Sequence, residues 1–122
     1  MKKKTFLCTG LLLLLSSSVF AEEHLKEALE HANAAAVHGE DGDTAILIGH
    51  AKAALGQVLE ASIVAKGVAK NHLNEAAKEL QESIELANLG HIGSATLHAE
   101  AAVKHIKVSD KYIDSVVIIQ KS

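Results

Sequence analysis

The residues with most to offer chemically are histidines. Eight of the 122 residues are His, beside one Cys, one Met, one Tyr and no Trp. His24, His31 and His38 stand seven apart, as do His91, His98 and His105, and His50 and His72 lie between the two runs. A neutral imidazole nitrogen is a good ligand for Cu²⁺, Ni²⁺ and Zn²⁺, and the stability order of divalent ions puts copper first. A single His at the border of a core is ordinarily a half-buried spacer, and a duplication could spread such a neutral residue by copying. Eight on one regular spacing point instead to ligands.

A step of seven keeps a residue on one helical face. With Leu25, Ile92 and their equivalents as position a of a heptad, every His falls on position g, beside the buried seam. The same lattice reaches Asp43 and Gln57 in the second helix and Glu79 and Leu86 in the third, so it holds eight His and two carboxylates. Glu79 is therefore a candidate ligand. Glu27, within a turn of both His24 and His31, is the other carboxylate placed to help. Glu30, Glu75 and Glu82 read as a solvated face.

Four helices must carry this lattice. The chain has no Pro, is rich in Ala, Leu, Glu and Lys, and repeats apolar residues at three and four. The first helix runs from about Glu23 to His38 and stops at the breaker Gly39 to Gly42. The second starts near Asp43 or Thr44, either able to cap it, and fades around Lys66 and Gly67. The third begins near Asn71 and ends at Asn88 to Gly90, and the fourth follows through Ile106. Short connections make successive helices antiparallel neighbours, which predicts an all-α, up-down-up-down four-helix bundle.

Sliding the second half of the chain over the first by 48 residues superposes His24-Leu25 on His72-Leu73, Gly42 on Gly90, and His50-Ala51 on His98-Ala99. The bundle is thus a duplicated helical hairpin. Its g positions can meet in two ways. Facing within each hairpin puts His31 by His50 and His72 by His105, with mixed rungs of His24 and Gln57, His38 and Asp43, and Glu79 and His98. Facing of helices 1 and 4 stacks His24 with His105, His31 with His98 and His38 with His91. Helices 1 and 4 keep every lattice His, which favours the second arrangement, with water or Glu27 completing each site.

The beginning of the chain reads as an export signal. Lys2 to Lys4 precede an apolar run from Phe6 to Leu15, then Ser16 to Ser18 and Val19-Phe20-Ala21, so residues 1–21 are expected to be cleaved after Ala21. Cys8 lies inside the apolar run without the small residue before it that lipid attachment needs. The mature chain, residues 22–122, keeps fifteen acids against nine Lys, a net charge of −6, with no Cys, Met or Arg and only Tyr112 as an aromatic. It belongs in the periplasm or outside the cell, off the membrane. Lacking a basic face and stacking groups, it is a poor partner for nucleic acid. Thiolate and thioether ligands leave with the signal, so Cu⁺ has little to bind.

The stretch His24 to Ala32, the helix end Val37-His38-Gly39, and the runs His50 to Lys52 and Lys104 to Ile106 give the chain from about His24 to Ser109 a family likeness. It resembles the small metal-binding protein family (SmbP), periplasmic four-helix bundles with His-bearing heptad-like repeats. The resemblance implies binding of several divalent metal ions, copper favoured, in buffering or tolerance. Gln57, Glu79 and Leu86 stand where that pattern has His, and a tail from Asp110 to Ser122 is added, so fewer sites are implied. No His-Glu-x-x-His, Gly-x-Ser-x-Gly or nucleophilic Cys suggests an enzyme. The alternative from another class is a metal-indifferent helical interaction or chaperone-like protein. Its exposed apolar surface would have to come from Tyr112 to Ile119, which could extend helix 4, meet a partner or cover the bundle end.

Overall fold

The heptad is realised almost residue for residue in a computed structural model, which describes the backbone of residues 2–121 and the side chains of residues 19–113. Positions a and d form the core: Leu25, Ala28, Ala32 and Ala35 on α1 (Lys2–Glu40), Leu47, Ala51, Ala54 and Val58 on α2 (Thr44–Val64), Leu73, Ala76 and Leu80 on α3 (Gly67–Asn88), and Ala95, Ala99, Ala102 and Ile106 on α4 (Ile92–Lys121). Their preponderance of Ala lets the helices approach closely, and only a few Leu, Ile and Val side chains fill the axis. Each helix packs on the helices next to it in sequence, and α1 packs on α4, closing an antiparallel four-helix ring. The expected all-α, up-down-up-down bundle is therefore what forms.

The two hairpins turn alike. Gly42 and Gly90 both take positive φ, 82° and 86°, a conformation that costs a β-carbon-bearing residue and not glycine. The amides of Asp43 and His91, equivalent under the 48-residue shift, donate to the carbonyls of His38 and Leu86. The connection between the hairpins is tighter than the sequence suggests. Ala65 and Lys66 are extended and Gly67 sits at φ 60°, so α3 starts at Gly67 rather than near Asn71. Val68 to Lys70 join the helix, and Ala69 enters the core.

Gly39 is no breaker either: α1 continues through it to Glu40, and its function is close approach. A β-carbon there would lie 2.1 Å from Thr96 Oγ1 and 2.8 Å from Leu47 Cδ1. Asp43 stands at the N-cap of α2, yet its side chain does not supply the expected cap. Two buried serines substitute for core alanines of the first hairpin. Ser83 Oγ donates to the Ala95 carbonyl at 2.7 Å and Ser109 Oγ to that of Ala69 at 3.1 Å, tying α3 to α4 without an unpaired hydroxyl.

The tail extends α4, whose Ile113 is buried with the core, while side chains beyond it lie outside the described residues. Most of the expected signal segment does too. Among the described residues no helix is long and apolar enough to cross a membrane.

Candidate metal centre

Position g puts an imidazole between core and solvent, and seven of the eight His are half-buried, His91 at the start of α4 being exposed. They meet within the hairpins. On α1 and α2, His24 Nδ1 hydrogen-bonds Gln57 Oε1, His31 Nδ1 lies 3.1 Å from His50 Nδ1, and His38 Nδ1 lies 3.6 Å from Asp43 Oδ2. On α3 and α4, His72 Nδ1 lies 3.0 Å from His105 Nδ1, and His98 Nδ1 lies 2.5 Å from Glu79 Oε2. The favoured facing of α1 and α4 is thereby corrected: His24 does not meet His105, nor His31 His98, nor His38 His91. The physical reason is handedness. In an antiparallel ring g meets g′ across one side of each helix and e meets e′ across the other, and the sense in which the ring turns decides which seam is which. Here the e positions Leu29, Ala36, Thr96 and Val103 go to the α1–α4 seam, where Thr96 packs on Gly39.

Two imidazole nitrogens 3.0 or 3.1 Å apart can do one of two things. Without metal, one ring keeps its proton on Nδ1 and donates to the lone pair of the other. With metal, both lone pairs turn to one ion. For metal–nitrogen bonds of about 2.0–2.1 Å, adjacent ligands stand ~2.9 Å apart in a square plane and ~3.3 Å apart in a tetrahedron. Both His pairs fall between these separations. They are spaced as adjacent ligands before any ion arrives.

The first pair continues into a third ring. His38 stacks on His50, centroids 5.6 Å apart and planes 7° from parallel, and the His31 ring lies 5.3 Å from His50, tilted by 33°. Burial lowers the pKa of His50 below its ordinary 6.5, and the charges that His31 and His38 would carry lower it further. A ring kept neutral is a ring ready to coordinate. Nδ1 of His38 is shielded from solvent and makes no hydrogen bond, with Asp43 stopping short of it. His38, Asp41 and Asp43 hold ligand atoms within 4.8 Å of one another.

At the equivalent level of the second hairpin the chemistry is harder. Glu79 and Glu82 both face His98, the latter at 3.2 Å, and the three ligand atoms lie within 4.8 Å of one another. An incoming ion would have to open the 2.5 Å contact of His98 with Glu79. Glu82 and Asp41 were not expected here. Their signals are local: Glu82 follows lattice Glu79 by one helical turn, and Asp41 shares a turn with lattice Asp43. Glu27, expected to complete a site, is exposed and in neither group, its direction being set outward by position c of the heptad. Leu86 leaves His91 without a ligand opposite.

An all-α bundle with paired imidazoles in its seams has the form of a metal-binding bundle. The small metal-binding protein family matches residues 1–109, and the chain belongs to it. No curated protein matches the chain.

Proposed function

We propose that the chain is exported and, once processed, buffers divalent transition metals in the periplasm, Cu²⁺ before Ni²⁺ and Zn²⁺, without catalysing a reaction. The observation that carries this reading is the spacing of the two His pairs, 3.1 Å for His31 with His50 and 3.0 Å for His72 with His105. Nitrogen and oxygen donors without sulfur favour Cu²⁺ in the divalent series, and the acidic mature chain attracts cations over its whole surface. Because positions a and d are filled without any His, and the two serines among them are hydrogen-bonded, the bundle needs no metal to fold. Ions can load and leave without the protein unfolding, which suits a buffer.

Titration of the apo protein with Cu²⁺, followed by calorimetry and electron paramagnetic resonance, tests the reading. The variant with His31, His50, His72 and His105 all replaced by Ala should keep its circular dichroism and lose the copper held by the two His pairs. Equal capacity in parent and variant would remove the two His pairs from consideration.

A further inference from the structure

We infer that processing creates a separate copper site at the new amino terminus, built by Glu22, Glu23 and His24. The inference rests on the proposed cleavage after Ala21, which would leave His24 as the third residue of the mature chain. A free α-amine, two backbone amides and an imidazole Nδ1 on the third residue are four nitrogens that can close three fused chelate rings in one plane. That geometry is the one preferred by Cu²⁺ and by low-spin Ni²⁺. Neither ion needs a seam partner there.

Several features of α1 agree. An α-helical amide donates to the carbonyl four residues earlier, so those of Glu23 and His24 are directed to Val19 and Phe20 in the uncut chain. Cleavage removes both acceptors and leaves these amides at a helix end. The Phe20 ring, which packs edge-on against His24 with centroids 4.2 Å apart, leaves in the same step. Leu25, 1% exposed, is the next residue and holds the helix in place, while Glu22 and His24 are half-buried and Glu23 is exposed, so no core side chain has to move for the three to unwind around an ion. The rung at His24 also differs from its counterpart. Where the second hairpin pairs His72 with His105, the first offers His24 only the amide of Gln57. A seam ligand is missing at the level where the terminus brings three nitrogens of its own.

On binding, Cu²⁺ displaces the proton of the α-ammonium and those of the Glu23 and His24 amides. These protons pass to the solvent, and the two amidate charges neutralise the ion. No electron is transferred.

The full chain is expressed in an exporting bacterium, the processed protein is recovered, and its mass and amino-terminal sequence are read before one equivalent of Cu²⁺ is added. The expected result is an amino terminus at Glu22 and the high-energy visible band of a planar four-nitrogen Cu²⁺ centre, with a diamagnetic yellow species when Ni²⁺ is used. Inserting one Ala between Ala21 and Glu22 moves His24 to the fourth position and should abolish both signals, as should His24→Ala, while copper binding at His31 and His50 persists. An amino terminus other than Glu22 overturns the proposal, and so does a band that survives the insertion. Loss of the seam copper with the terminal band intact would instead reject the buffering function and leave this site standing.

Discussion

His31→Ala and His50→Ala, singly and together, test the hairpin seam most directly. With the two Nδ1 atoms 3.1 Å apart, an ion held by one ring meets the other in a volume of about 125 Å³, an effective concentration of order 10 M. The helices fix both rings, so the second bond forms with little further ordering. Removing either ring forfeits that chelation, and removing the second after the first costs little more. The cycle should show a coupling of about 1.5–3 kcal/mol, roughly a ten- to hundredfold change in Kd for Cu²⁺. His31→Ala with His98→Ala, on different seams, should be additive within about 0.5 kcal/mol. Competition against a calibrated chelator gives the four affinities, read at one equivalent of metal in a background with His24, His72 and His105 replaced by Ala, so that neither the terminal site nor the second His pair takes the first ion. Coupling of His31 to His98 with none to His50 would refute the seam assignment.

The remaining predictions concern pH, packing and metal choice. Because the folded pKa of His50 lies below 6.5, protonation favours the unfolded chain: the contribution to apo stability is full above pH 6.5 and is lost as pH falls through the lowered folded value. Melts of the apo protein across that window should show the decline, and His50→Ala should flatten it. Gly39→Ala, whose methyl would sit 2.1 Å from Thr96 Oγ1, should destabilise by about 1–3 kcal/mol, with partial recovery in the Gly39→Ala, Thr96→Ala double variant by chemical denaturation. Glu79→Gln with Glu82→Gln should weaken Zn²⁺ more than Cu²⁺ in parallel titrations, since oxygen donors matter more to the harder ion.

The fold was legible because the heptad is nearly unbroken. From Leu25 through Ile106 the residues at a and d are buried apart from the half-buried Thr44 and Ile92, with Ala36, Ala77, Thr96 and Val103 at e joining them, and the repeat of 48 residues announced two equivalent hairpins. The rung partners were legible too, once a seam was chosen: His31 with His50 and Glu79 with His98 follow from the turn at Gly42 and its copy at Gly90. The choice of seam was not. It depends on which way the ring turns, a property of how the short connections leave one helix and enter the next, and the retention of all lattice His on α1 and α4 pointed the wrong way. That retention has another consequence in the hairpin arrangement. Each rung takes one residue from α1 or α4, so all six rungs keep at least one imidazole, and the substitutions at Asp43, Gln57, Glu79 and Leu86 fall one to a rung on the partner helix.

Divergence confined to one side of each rung changes what a site prefers without erasing it. His31 with His50 remains all nitrogen, whereas its copy has become His98 with Glu79 and Glu82, and the loop rung pairs His38 with the carboxylates of Asp41 and Asp43. A uniform ladder of imidazoles would present one affinity repeated. The substituted ladder grades nitrogen against oxygen along both hairpins, and under the proposed function this would grade affinity among divalent ions. The a and d layers are untouched by these exchanges, because g residues lie at the border where Gln, Glu or Asp is solvated as readily as His. Substitution at g thus leaves the core of the bundle in place, and under the proposed function metal preference can change while the fold stays as it is.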